Sequence, residues 1–385
     1  QRCIVQSGFM PKIHEELRDG LSPWPVILSS KTRASMQDIV SKLGHIIAKS
    51  LPLARKHLEA LFNKHYHLPK ELLVYLDNLA LPLLDQFGRY DAILHDGEFK
   101  VIEYNVATNI GGWHTYKLLN EFIQVVDYEH DLTMNTCVGE FIEHLYTIGE
   151  KYKSTDTEPV RVLFEAAPGD SLIAMQMIVP IFNELARDSQ LQIEFLIDSE
   201  FEQLTVTEHG ALFGGKEVHV VLAPIHELDT ALPSVVQLTH HHFNQKLAFP
   251  DNPVYLLIGN KSNFALMHHL KEAGIFTDFE AELITKLIPW SCWLDKSECD
   301  QQKMERIASQ KDNYVLKKNI SLGGCDVIVG KYTATKEWQG ALQNALSEGD
   351  WIVQQFFESD GFLAPDMMNE ITVHDFVWGM FDFAR

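Results

Sequence analysis

The chain has 385 residues, 46% hydrophobic and 22% charged, the balance of a folded globular protein long enough for two or three packed subdomains. Lys and Arg number 32 against 53 Asp and Glu, a formal charge of −21, so the surface field repels phosphate backbones and anionic lipid. That excludes nucleic acid and a membrane surface as natural partners, and any phosphate site must be a local pocket of cations and backbone amides.

Cysteines stand only at positions 3, 137, 292, 299 and 325, odd in number and widely spaced. With no signal-like start and no apolar run near about 18 residues, the chain reads as a cytoplasmic protein with reduced thiols.

Residues 35–65 carry the period of an amphipathic helix: Ser35 and Asp38 resemble a capping box, and Ile39, Val40, Leu43, Ile46 and Ile47 share one face. Pro52 is expected to break or kink it. Between 89 and 105 the period shortens to two. Tyr90–Leu94 and Phe99–Asn105 flank His95-Asp96-Gly97, and an Asp-Gly step between apolar runs predicts a β-hairpin.

The polar stretch 151–159, closed by Pro159, reads as a domain junction. Beyond it, Val160–Phe164 is a strand, 171–187 a helix, Gln192–Ile197 a strand and Val218–Ala223 another buried strand. This rhythm predicts a small open parallel α/β domain over 160–290. Two decoys fall inside it. Gly210 to Glu217 nearly spells a phosphate-binding loop, but Glu217 stands where a Ser or Thr must reach the metal, so a hairpin turn is expected. His240-His241-His242 reads as a polar loop, because consecutive residues do not converge on one ion.

The last third, 291–385, holds short strands at Tyr314–Lys317, Asp326–Val329 and Trp351–Gln354, a helix over 336–347 and a further strand over Glu370–Phe376. Cys292, Cys299 and Cys325 lack both zinc spacing and a local histidine, so idle or buried thiols are expected.

Two constellations carry chemistry. On a strand, residues two apart face one side, so Arg89 projects with Asp91 and Glu103 with Asn105. An acid-plus-amide oxygen cluster suits Mg²⁺, and an arginine beside it suits an acyl phosphate or an oxyanion. The second is Lys317 at the end of an apolar strand, followed by Ser321-Leu322-Gly323-Gly324. A lysine point charge with glycines that admit backbone N–H groups fits a triphosphate. The strand Val353-Gln354-Gln355-Phe356-Phe357 can then offer backbone edges and aromatic faces to a base.

Together these segments resemble the signatures of the ATP-grasp superfamily. The Glu-x-Asn hairpin precedes the lysine strand here, the order found in circularly permuted members such as the glutathionylspermidine synthetase group and related peptide and amino-acid ligases. The resemblance implies an α/β fold in which ATP lies between two mainly antiparallel sheets, alongside the small parallel α/β domain. It divides the chain into 1–150 with the metal-binding hairpin, 160–290, and 291–385 with the nucleotide-binding strands.

Carried over by position, it implies that Asp91, Glu103 and Asn105 hold Mg²⁺ and that Arg89 steadies the acyl phosphate. Lys317 would meet the α- or β-phosphate, and Ser321, Gly323 and Gly324 would form the lid. Gln354, Gln355 and Phe357 would line the adenine, and Lys261 would be a second nucleotide-contacting lysine. The implied activity is ADP-forming ligation of a small carboxylate to an amine; a thiol acceptor, an ATP-grasp phosphotransferase and a non-catalytic ATP-binding module are the alternatives. Val106-Ala107-Thr108-Asn109 after the hairpin and Lys318 after the lysine depart from the family pattern.

Overall fold

A computed structural model describes residues 28–81, 83–110, 137–223, 232–295, 297–321, 326–365 and 370–383. Helix α1 spans Ser30–His57, with the Ser29 hydroxyl accepting from the Thr32 amide and Ile39, Leu43, Ile46, Ile47 and Leu51 buried. Pro52 lies inside it rather than ending it. Leu51 and Ala54, both fully buried, hold the backbone through the proline. The break comes at Leu58, whose φ of −137° separates α1 from α2, Glu59–His65.

Strands β1, Gly88–His95, and β2, Glu98–Val106, form the expected antiparallel hairpin. Its turn is Asp96-Gly97 with φ of 50° and 76°, the left-handed pair that matches strand twist. Helix α3, Cys137–Glu150, leads through the polar junction to β3, Val160–Ala166, helix α4, Asp170–Asp188, and β4, Ile193–Ser199. A three-stranded meander follows, β5 Leu204–Val206, β6 Ala211–Phe213 and β7 Lys216–Val218, and then β8, Val220–Leu222. Gly214 and Gly215 turn the meander with φ of 56° and 80°, so the near phosphate-loop motif is a hairpin turn.

Helix α5, Pro233–Phe243, overturns the reading of His240–His242 as a loop: the triplet is its last turn. The three imidazoles go separate ways, to the Tyr75 hydroxyl (2.7 Å), to the Thr207 carbonyl (2.6 Å) and, as acceptor, to the Phe249 amide (3.1 Å). Burial pulls the His242 pKa down to about 4, so that ring stays neutral. Helices α6, Ser262–Glu272, and α7, Asp278–Leu287, precede β9, Ser291–Trp293. Then come α8 Gln301–Ser309, β10 Tyr314–Lys318, β11 Val327–Val329, α9 Thr335–Glu348 and β12 Trp351–Gln355. The described chain closes with β13 Phe362–Pro365, β14 Ile371–His374 and β15 Trp378–Asp382.

These elements make a mixed α/β architecture of several small sheets. Strands β4-β3-β8 form the parallel sheet, with the apolar faces of α3 and α4 packed on it through Phe141, Leu145 and Phe182. An antiparallel sheet β11-β10-β12-β9 is backed by Ile307 of α8 and by Trp338 and Leu342 of α9. The hairpin gains a third strand from the far end of the chain: β15 pairs with β1, giving β15-β1-β2. Residues 378–382 thus serve the hairpin sheet rather than the lysine sheet. Likewise α6 and α7 bury Phe264, Leu266, Leu270 and Ile284 with α1 and β2, not with the parallel sheet. Among the described residues no helix is long and apolar enough to cross a membrane.

Candidate functional site

The hairpin register sets Arg89 opposite Asn105 and Asp91 opposite Glu103, so four polar side chains share one face of the sheet. Arg89 grips Asp91 with two parallel bonds, Nε to Oδ1 at 2.6 Å and Nη2 to Oδ2 at 2.8 Å. The Asn105 amide donates to the same Oδ2 at 3.1 Å, and Arg89 Nη1 reaches the Ile110 carbonyl. Burial opposes the guanidinium charge, but Asp91 and Glu103 overcome it and raise the Arg89 pKa. Gly379 on β15 makes room: a Cβ there would sit 3.1 Å from Arg89 Cδ.

Directly after Asp91 the register slips. Asp91 pairs with Glu103, yet Ala92 pairs with Val101, so Ile102 is an extra residue bulged out of the ladder. Its carbonyl accepts from Lys317 Nζ at 2.7 Å, across 215 positions of sequence. Lys317 is only 5% exposed. Burial brings its pKa down to about 8, with Glu103 and Asp91 pulling upward and Lys261 adding to the decrease.

Lys261 completes the junction. Its Nζ lies 3.0 Å from Glu103 Oε1 and donates to the Ser321 carbonyl at 2.7 Å. Its amide donates to the Asn319 carbonyl at 3.0 Å, so the residue binds the end of β10 through both backbone and side chain. Two residues earlier, Gly259 packs against β2, where a Cβ would meet Val106 Cγ2 at 2.9 Å. The structure therefore brings Arg89, Asp91, Glu103, Asn105, Lys261, Lys317 and the Ser321 backbone to one junction between the hairpin sheet and the lysine sheet. Gly323 and Gly324 lie outside the described residues.

The candidate base-binding residues sit differently. Strand β12 is flanked by β10 and β9, so its ladder groups are engaged on both sides. Gln354 is buried and its Nε2 donates to Ser291 Oγ at 3.2 Å, leaving Oε1 without a protein partner. The Gln355 amide donates to the Trp290 carbonyl at 2.7 Å. Phe357 lies beyond the strand, at the turn end of the hairpin, 4.9 Å from the His95 ring and 5.6 Å from Lys100 Nζ. Asp360 secures that crossing by accepting the Asp96 and Gly97 amides, each at 2.9 Å.

One residue carries no mark in the sequence. Asp251 is fully buried, and its Oδ1 accepts the Thr108 amide (3.0 Å) and hydroxyl (2.7 Å) while Oδ2 accepts the Ala223 amide (2.9 Å). Burial pushes its pKa up to about 7 against those three bonds. It thereby ties β8 of the parallel sheet to the turn after the hairpin, in which Ala107 adopts a left-handed φ of 51° and Ile110 meets Arg89. The local signal is no more than an Asp bracketed by Pro250 and Pro253, which reads as a turn.

An open groove of about 570 Å³ is lined by Arg55, Phe62, Tyr66 and Lys70 near α1 and α2 and by none of the junction residues.

No family model and no curated protein matches the chain. Among solved structures, a candidate gamma-glutamylcysteine synthetase of Methylobacillus flagellatus KT aligns over 90% of this chain and 81% of its own, with a TM-score of 0.40 and 12% identity. D-alanyl-alanine synthetase A of Vibrio cholerae O1 biovar eltor str. N16961 aligns over 56% of this chain and 66% of its own, with a TM-score of 0.30 and 7% identity. Both likenesses are distant.

Proposed function

We propose that the chain is an ATP-dependent, ADP-forming ligase of the permuted ATP-grasp type, joining a small carboxylate to an amine. The observation that carries this reading is the meeting of Lys317 and Lys261 with Glu103 at the bulged hairpin. Lys261 pairs with the half-buried Glu103 and Lys317 bonds the carbonyl of the residue before it, so two buried lysines and a carboxylate from three distant segments meet at adjacent positions of β2. A phosphate chain bridged to a metal ion has the complementary charge.

The donor set fits Mg²⁺. Asp91 and Glu103 offer carboxylate oxygens and Asn105 an amide oxygen on one face. No cluster of three or more His, Cys, Asp or Glu occurs among the described residues. Mg²⁺ needs none, because it is held by one or two carboxylates together with substrate phosphates. When bound, it would neutralise phosphate charge during transfer. In the structure Glu103 is engaged by Lys261 and Asp91 by Arg89. A nucleotide would give Lys261 and Lys317 phosphate partners in place of Glu103 and the Ile102 carbonyl, freeing Glu103 for the ion. Arg89, already oriented by Asp91 and Ile110, would hold the activated acyl group beside the hairpin face.

The test is calorimetric titration with Mg-ATP, followed by ADP release with pooled amino acids, for the wild type and Glu103→Ala. Magnesium-dependent binding and acid-dependent ADP release that vanish in the variant are expected. An absence of ATP binding by the wild type, or binding indifferent to Glu103→Ala, would overturn the proposal.

A further inference from the structure

Cys292 and Cys299, read from sequence as idle or buried thiols, are neighbours. Their sulfurs lie 3.7 Å apart. Cys292 is on β9, at the edge of the lysine sheet and opposite Val353 of β12. Cys299 immediately precedes Asp300, which caps α8 by accepting the Lys303 amide.

The described residues between them are held by hydrogen bonds. The Leu294 amide donates to the Trp351 carbonyl at 2.8 Å and the Cys299 amide to the Asp295 carbonyl at 2.9 Å. Asp295 Oδ1 in turn accepts the Ser297 amide (2.7 Å) and hydroxyl (2.6 Å). These bonds hold the backbone next to each sulfur. Lys303 Nζ lies 3.0 Å from the Glu298 carbonyl. The hydrogen bond from Cys292, with the nearby Lys303 ammonium, favours the thiolate at Cys299, the sulfur that closes the bond.

We propose that Cys292 and Cys299 form a reversible dithiol–disulfide pair, a site of oxidation by a small peroxide at the edge of the lysine sheet. Cys292 is half-buried and open to a small oxidant, whereas Cys299 is buried behind it. The Cys292 sulfur attacks one peroxide oxygen, the O–O bond breaks, one water leaves and a sulfenic acid remains. Cys299 then attacks that sulfur, the S–O bond breaks, and its proton leaves with the hydroxide as a second water. Two thiols are oxidised to one disulfide and the peroxide is reduced to two waters, with no other co-reactant. Closed, the bond would staple the start of α8 to the strand beside β12. This inference does not depend on the nucleotide reading.

The experiment treats the reduced full-length chain with hydrogen peroxide, alkylates free thiols, and maps cysteine peptides by mass spectrometry. The expected product is a peptide pair joined through Cys292 and Cys299, lighter by two hydrogens and restored by dithiothreitol, with Cys137 still alkylated. Cys299→Ser should stop at a dimedone-trapped sulfenic acid on Cys292, and its unchanged melting temperature would show that the fold survives. Retention of both free thiols in the wild type at peroxide levels that label Cys292 in Cys299→Ser would overturn the proposal. So would pairing of either residue with Cys3 or Cys325.

Discussion

Lys317→Met separates what the buried lysine does for the site from what it does to the fold. In an unfolded chain the ammonium keeps its proton to a pH of about 10.4, whereas in the folded protein it releases it at about 8. Between those values the unfolded chain binds more protons, so stability rises with pH across the window, and below pH 8 the full cost is present. That cost is about 3 kcal/mol, at about 1.4 kcal/mol per tenfold change in proton affinity. Methionine removes it but leaves the Ile102 carbonyl without its donor, a loss of about 1–3 kcal/mol. The variant should therefore be as stable as the wild type or up to about 2 kcal/mol more stable at pH 7, while Mg-ATP binding is lost. Near pH 10 the advantage should disappear or reverse, because the wild-type amine is then neutral when folded. Urea unfolding followed by tryptophan fluorescence reports on this region, since Trp293 and Trp338 are buried in and against the lysine sheet. A stability difference that does not change between pH 7 and pH 10 would refute the reasoning, as would a variant more than about 2 kcal/mol less stable at pH 7.

Three further substitutions probe the elements that position the junction. Gly259→Ala places a methyl 2.9 Å from Val106 Cγ2; it should cost about 1–3 kcal/mol in a urea titration and weaken Mg-ATP binding by displacing Lys261. Asp251→Ala strips the Thr108 and Ala223 amides of their acceptor inside the protein. It should cost at least about 2 kcal/mol and speed amide hydrogen exchange at both residues. Gly97→Ala forces a side chain into a turn position with φ of 76°; a loss of about 1 kcal/mol in thermal unfolding, with no effect on the Cys292–Cys299 contact, is expected.

The hairpin is legible in the sequence because its information is local. A period of two groups Arg89 with Asp91 and Glu103 with Asn105, and Asp96-Gly97 fixes the turn, but that turn alone would set Asp91 opposite Ile102; the bulge at Ile102 is what brings the two pairs onto one face. The Ile102 bulge is not legible, since an inserted residue leaves no mark on composition and its effect is felt only across the ladder. The return of β15 to β1 is equally hidden, because pairing between positions 88–92 and 378–382 is a property of topology. Pro52 does not break the helix, because the buried Leu51 and Ala54 anchor the backbone on either side of the one missing amide. The histidine triplet misleads because its polarity masks helix signals that are present, Pro233 at the first turn and basic residues in the last.

The order of the segments explains why 251–261 matters so much to the candidate site. With the hairpin placed before the lysine strand, no short loop keeps the two sheets in register, and the junction must be set by a third stretch of chain. Asp251 fixes the turn after β2, Gly259 lies flat against Val106, and Lys261 spans Glu103 and Ser321. Each contact uses a property that another residue would not supply: a buried carboxylate with three donors, the absence of a Cβ, and a cation long enough to reach both sheets. On the ligase reading, coupling between Asp91 and Glu103 on one sheet and Lys317 on the other would run through this stretch. A substitution at Gly259, which touches no ligand group itself, is for that reason the sharper probe of whether the two sheets act as one site.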